Sequence, residues 1–246
     1  KNFLNQTDVI CAANVICHVP DLGNLFEAVD LCLNRNGVFI FEEPYMGSMF
    51  SKVSYDQIYD EHIYMFSTSS VSKICKLYDM ELINVIKQNT HGGSLRYICA
   101  RKNTHRIDSN VKKLLDEEKN NNLDNLESCF KFKEDCEDSK LKLRKKLHNF
   151  KSSGKKICGY AATSKSTTIL NYCDIGNDVI DYICDTTKEK IEKFSPGKHV
   201  PIKSMDYFYQ NLPDVAFLFA WNHKEEIFEK EKQFSKTGEW TAHVEL

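Results

Sequence analysis

Apolar and polar positions follow two rhythms along this chain, one of strands and one of helices. Residues 8–19, "DVICAANVICHV", form a nearly continuous apolar run, which predicts a buried strand and its exit loop. Leu22, Leu25, Phe26, Val29, Leu31 and Leu33 then recur largely at helical spacing, with Asp21 as N-cap and Gly37 as the stop. "GVFIFEEP" (37–44) predicts a second strand, ended by Pro44. Strand, helix and strand without a tight hairpin is the grammar of an α/β fold. Residues 67–80 read as a helix capped by Ser69 or Ser70. Residues 81–88 and 94–102 read as antiparallel strands joined through "NTHGG".

Residues 108–156 change rhythm: they are rich in charge, free of proline and helical, with Asp108 and Asn120–Asn122 dividing them into at least two helices. Their charges read as a solvated face. A second α/β unit follows, with a strand at 156–160, a helix near 165–173 and a strand in "DVIDYICDTT". The loop "SPGKHVPI", a short helix in "SMDYFYQNL" and a strand at 213–221 come next. A helix over 222–238 and a closing strand from 239 complete the unit. This alternation predicts a parallel, Rossmann-like sheet. The expected domains are residues 1–105 and 106–246.

Composition narrows the function. The chain has 246 residues, 41% hydrophobic and 28% charged, and a net charge of −2 from 33 basic and 35 acidic residues. No global field favours nucleic acid or an anionic membrane. The longest apolar runs, such as "VAFLFAW", are strand-sized. Ten cysteines are unevenly spaced with no C-x-x-C pair, so no metal site is expected within these residues. Cys11, Cys17, Cys99, Cys158 and Cys184 lie among apolar neighbours and read as free thiols of a reducing cytosol. The first residue is Lys1 and a strand begins almost at once, so a preceding N-terminal part is expected to be absent.

Candidate chemistry centres on "YDQIYDEHIYMFS" (55–67), which has three tyrosines and a Glu-His pair but no helical period. An imidazole beside a carboxylate is a usable base near neutral pH, and a phenol can donate to a developing enolate oxygen. Tyr59, Glu61 and His62 therefore suit removal of a proton α to a carbonyl; the same residues also suit a polar packing loop. His18 in "CHVPD" sits at a strand exit, where open α/β sheets bind ligands, or caps that exit. "HGGSLR" (91–96) joins His91 and Arg96 to two glycines, for a ligand or for a plain turn. "GYAATSKSTT" (159–168) follows a strand and opens a helix, a setting that can hold phosphate, with Lys165 adding charge.

Taken in order, "NVICHVPDLGNLFEAV", "GVFIFEEPY", "YDQIYDEHIYMFS", "HGGSLRYICARK", "GYAATSKSTTILNYC", "DYICDTTKEKIEKFSPGKHVPI" and "VAFLFAWN" resemble the S-adenosylmethionine-dependent sugar C-methyltransferases. These act on nucleotide-linked 4-keto-6-deoxyhexoses. The resemblance implies the C-terminal half of a class I methyltransferase domain followed by a Rossmann-like nucleotide-sugar-binding domain. It implies S-adenosylmethionine as cofactor and zinc only in a preceding four-cysteine domain. His62 becomes the base that takes the C3 proton, supported by Tyr59 and Glu61. Asn14 and His18 fall near donor and sugar, while His91, Arg96, Tyr160, Lys165 and Asn171 fall on the substrate side. One departure stands out: relatives often read Gly-Ala-Pro-Ala-Lys-Gly where this chain has Ala161 to Ser166. The rival expectations are methyl transfer to another sugar atom or ketone, and a non-catalytic nucleotide-sugar-binding module.

Overall fold

The computed structural model describes residues 3–246 and divides into two compact units. The first comprises the chain up to Ser51 together with Asp60–Lys131; the second comprises Lys52–Tyr59 and Phe132–Leu246.

In the first unit, β1 (Thr7–Ala13) leads to α1 (Leu22–Cys32) and β2 (Leu33–Pro44). Then come α2 (Met46–Lys52), α3 (Thr68–Leu77), β3 (Met80–Gln88), β4 (Ser94–Arg101) and α4 (Ser109–Asn120). The sheet order is β1-β2-β4-β3, with β1 parallel to β2 and the other pairs antiparallel. Its core is aromatic: Phe39 stacks on Phe41 at 5.0 Å and Phe41 on Tyr97 at 4.9 Å between ring centres. Such offset pairs add to the burial of large apolar area.

Asp21 caps α1, accepting from Asn24 N at 2.9 Å. The helix ends earlier than the sequence predicts. Leu33 turns to extended backbone (φ −63°, ψ 135°) and pairs with Thr7, while Leu31 is exposed. Arg101 closes this helix end by binding the Asp30 carboxylate and the Leu33 carbonyl. Gly37 therefore stops no helix. It sits at a register shift in β2, where a Cβ would lie 2.6 Å from the Thr7 carbonyl oxygen.

The cap of α3 also differs from expectation. Ser67 accepts from Ser70 N, and the Ser70 hydroxyl accepts from Ser67 N. The buried carboxylate of Glu118 on α4 takes two further first-turn donors, Thr68 N at 2.6 Å and Ser69 N at 2.9 Å. An anion there opposes the positive helix end, so the cap is shared between a local serine and a distant glutamate.

The division between units falls within α5 (Leu126–Ser152). The second unit continues with β5 (Ile157–Tyr160), α6 (Ser164–Tyr172), β6 (Tyr182–Asp185), β7 (Ile202–Ser204) and α7 (Met205–Gln210). It ends with β8 (Val215–Leu218), α8 (Lys224–Lys230) and β9 (Glu239–Thr241). All pairings are parallel, in the order β7-β6-β5-β8-β9. Each of β5, β6 and β8 is buried along its whole length, as expected of strands covered on both faces. The expected Rossmann-like α/β fold is thus present.

The predicted 222–238 helix shrinks to α8 and a 3-10 turn at Phe234–Lys236. Glu231 is drawn inward by the phenols of Tyr160 and Tyr209, and Phe234 enters the core. Gly238 permits the tight exit, because a Cβ there would meet the Phe234 ring at 2.1 Å.

All ten cysteines are free; seven are buried, Cys32 is half-buried, and Cys11 and Cys129 are exposed. Among the described residues, no helix is long and apolar enough to cross a membrane.

Candidate functional site

In the first unit, the chain leaves β1 at the C-terminal end of the parallel β1–β2 pair. Asn14 adopts a left-handed backbone (φ 53°), and its N–H donates to the Glu42 carbonyl at 2.8 Å. A 3-10 turn, Ile16–His18, follows. The fully buried Glu43 at the end of β2 accepts from Val15 N at 2.9 Å and Ile16 N at 2.6 Å through Oε1. One carboxylate thus fixes the turn that carries Cys17 and His18. Burial, with the Glu43 carboxylate alongside, pushes the Cys17 thiol far above its ordinary range.

The loop that contains His62 is strapped onto this turn. Ile63 N donates to the Cys17 carbonyl at 3.0 Å, and the Tyr64 hydroxyl donates to the Pro20 carbonyl at 2.8 Å. His18 Nδ1 lies 2.7 Å from the Glu61 carbonyl oxygen. A carbonyl only accepts, so Nδ1 carries a proton in this contact and Nε2 is the ring nitrogen turned away from it. The rings of His18 and His62 lie 5.2 Å apart. Two segments over forty positions apart in sequence therefore place two imidazoles side by side.

Glu61 contributes its carbonyl to this arrangement, while its residue is exposed. Tyr59, half-buried, belongs to the segment assigned to the second unit. Nearby, Arg96 on β4 faces Glu42 across the sheet, with Nη2 2.9 Å from Oε2. Thr90 Oγ1 donates to Glu42 Oε1 at 2.7 Å, which ties the turn bearing His91 (φ 51°) to the same carboxylate.

The second unit carries the other candidates. Lys165 on α6 is almost buried, with Nζ 3.3 Å from Asn222 Oδ1 and 3.7 Å from Asp56 Oδ2. Burial pulls its pKa down, and Asp56 opposes that shift. Asp56 itself is fully buried: Trp221 Nε1 donates to Oδ2 at 2.8 Å, and His243 Nε2 lies 3.0 Å from Oδ1. Burial alone would raise its pKa, but His243, Lys165 and Trp221 hold it below the usual value. The Tyr160 hydroxyl is committed to Glu231 at 2.8 Å. Asn171 Nδ2 donates to the Pro196 carbonyl at 3.0 Å, tying α6 to the "SPGKHVPI" loop. Thr163 caps α6 by accepting from Ser166 N, and Ala162 N donates to Asp185 Oδ2 at 2.7 Å.

The candidates thus form two groups. Asn14, His18, His62, His91 and Arg96 gather around the strand exits of the first unit, while Tyr160, Lys165 and Asn171 surround the β5–α6 turn of the second. Sequence reading missed Cys17, Glu43, Asp56, Trp221 and His243. The paired acids closing a strand in "FEEP" were the available signal for Glu43.

Strand exits lined with titratable side chains, on an open sheet whose order runs β1-β2-β4-β3, define an α/β protein with a ligand-binding type of strand end. More specifically, the chain belongs to the C-methyltransferase C-terminal domain family, whose profile matches residues 89–244; a methyltransferase-domain profile matches residues 2–85. It is similar to the C-methyltransferase NovU of Streptomyces niveus, with 28% identity over 222 residues, 90% of this chain and 53% of that protein. The chain therefore spans about half the length of this curated relative.

Methyltransferase domains use S-adenosylmethionine. The residues present fit such a donor at Asn14, whose Oδ1 is buried with no hydrogen-bond partner at the end of β1. It is an acceptor suited to an N–H or ammonium group.

Proposed function

We propose that this chain carries the base and the sugar-nucleotide half of a C-methyltransferase acting at C3 of a nucleotide-linked 4-keto-6-deoxy sugar. The observation that supports it best is His62, held by the strapped loop beside His18 at the exit of β1. S-adenosylmethionine, when bound, supplies an electrophilic methyl group. His62 takes the C3 proton, which the neighbouring C4 ketone acidifies, and the resulting enolate carbon is the nucleophile. His18 and Glu61 hold the loop, and Tyr59 supports the imidazole or the enolate oxygen. Asn14 and His18 face the donor side, and His91 and Arg96 the sugar. The second unit binds the nucleotide, with Lys165, Tyr160 and Asn171 shaping the β5–α6 turn.

The base is tested without methyl transfer. The chain is mixed with a nucleotide-linked 4-keto-6-deoxyhexose in D2O, and exchange at C3 is followed by NMR. A positioned base contributes roughly 10²–10⁴-fold, so His62→Asn should slow exchange by that factor. Equal exchange in both proteins rules His62 out.

A second reading rests on the chain's spanning about half of its relative: a nucleotide-sugar-binding module without catalysis. Titration calorimetry separates the two. Binding of the nucleotide sugar without S-adenosylmethionine binding, and without C3 exchange, favours the module.

A further inference from the structure

We propose that Cys17, His18 and His62 form a three-ligand site for a soft divalent cation, best matched by zinc, and that occupation of this site silences His62 as a base. The second half of this statement rests on the base assignment above; the first does not.

The three ligand atoms, one sulfur and two imidazole nitrogens, all lie within 4.8 Å of one another. Zinc takes nitrogen at about 2.0–2.1 Å and sulfur at about 2.3 Å, so neighbouring ligands of a tetrahedral ion stand roughly 3.3–3.7 Å apart. Closing the gap requires each atom to move by less than about 1 Å, within reach of side-chain torsions on a turn and a loop. His18 and His62 are half-buried.

Two features outside the three ligands suit a cation. The first is the contact of His18 Nδ1 with the Glu61 carbonyl oxygen at 2.7 Å. Metal-ligating histidines almost always donate their second ring nitrogen in this way, which fixes the tautomer and presents the other lone pair. The second is Glu43. Its Oε1 is satisfied by two backbone N–H groups, but Oε2 is buried with no hydrogen-bond partner. A buried carboxylate oxygen left in this way raises a negative potential beside Cys17, and a cation on the thiolate relieves it.

The chemistry balances simply. As the sulfur–metal bond forms, Cys17 Sγ loses its proton to solvent, and each histidine donates the lone pair of one ring nitrogen. No oxidant or second reactant is involved. Three protein ligands leave a fourth position open, which a water fills. Cysteine with imidazole selects zinc over magnesium, calcium or manganese, whose preferred donors are oxygens. This site is distinct from the four-cysteine zinc domain that the family resemblance places ahead of these residues. No short spacing in sequence announces it, because its ligands join two distant segments.

Cobalt substitution gives the test a readout independent of activity. The metal-free chain, with exposed Cys11 and Cys129 changed to Ser to remove background thiols, is titrated with Co2+. The expected result is a thiolate-to-cobalt charge-transfer band with intensified d–d absorption, saturating at one equivalent and displaced by zinc. Cys17→Ser should remove the charge-transfer band. His62→Asn, on an accessible loop that needs no refolding of the core, should weaken zinc binding by roughly a hundredfold or more, beyond the ~10–100-fold typical of second-sphere changes. Absence of the band in the starting protein, or its survival in Cys17→Ser, overturns the site. If zinc binds at one equivalent but C3 exchange continues undiminished, the silencing of His62 is overturned while the metal site stands.

Discussion

Among single residues, Asp56 bears the heaviest structural duty. It is fully buried with Trp221, His243 and Lys165 around its two oxygens. Removing one member of such a buried charged cluster costs roughly 3–5 kcal/mol, because the remaining partners stay buried without it. Asp56→Ala should therefore lower the urea midpoint markedly at pH 7. The pH dependence has a definite sign. The folded-state pKa of Asp56 lies below its ordinary 3.8, so the carboxylate stabilises the fold above that value. That contribution disappears as pH falls through the depressed pKa. The midpoint difference between wild type and Asp56→Ala should be full near neutrality and shrink only in strong acid. A difference already gone at pH 5 would refute this assignment.

The same residue marks the limit of the sequence. "YDQIYDEH" offers three acids within six positions, and nothing local says which is buried. Asp56 is sealed inside, while Asp60 and Glu61 are exposed, because its partners come from positions 165, 221 and 243. His62 could be singled out from its neighbours in the chain and Glu43 had the paired acids of "FEEP" as a signal, but the juxtaposition of Cys17, His18 and His62 arises only when the loop folds against the strand exit.

At the scale of elements, the β5–α6 turn holds local strain. Ala161 has φ 74°, a left-handed backbone that costs a non-glycine residue roughly 1–2 kcal/mol. The turn is held against this cost: Ala161 N donates to the Cys184 carbonyl, Ala162 N to Asp185, and Lys190 Nζ reaches the Ala162 carbonyl at 2.7 Å. The resemblance noted above has glycine at this position, which fits the backbone observed. Ala161→Gly should stabilise the second unit by about 1 kcal/mol, less the entropy glycine loses on folding, and raise its melting temperature by a few degrees. An unchanged or lower melting temperature would count against strain here.

Elements also show why some boundaries were legible and others not. Asp21, Thr163 and Asp108 cap α1, α6 and α4 through their own neighbours, and local chemistry suffices to find such ends. The end of α1 depends on Thr7 and Arg101, which reach it across the unit, and Glu118 likewise comes from afar to the first turn of α3, whereas the Ser67–Ser70 capping box there is local. Helical spacing in sequence has no means of registering partners so distant.

For the molecule as a whole, the alternation of strands and helices made the second sheet readable, because parallel pairing imposes nearly continuous apolar strands separated by helices, while the first sheet, parallel only between β1 and β2, was read from that pair and from the antiparallel strands flanking "NTHGG". Interior cysteines occur in both units: Cys75 Sγ lies 3.3 Å from Cys99 Sγ in the first, and Cys158 and Cys184 sit on adjacent strands in the second. None is a disulfide. These thiols can serve as clocks. A small disulfide reagent such as Ellman's should consume Cys11 and Cys129 at once and Cys32 more slowly. The seven interior thiols should follow only as each unit opens, so two separate slow phases in mass-resolved labelling would time the opening of Cys17, Cys75 and Cys99 against that of Cys136, Cys158, Cys173 and Cys184.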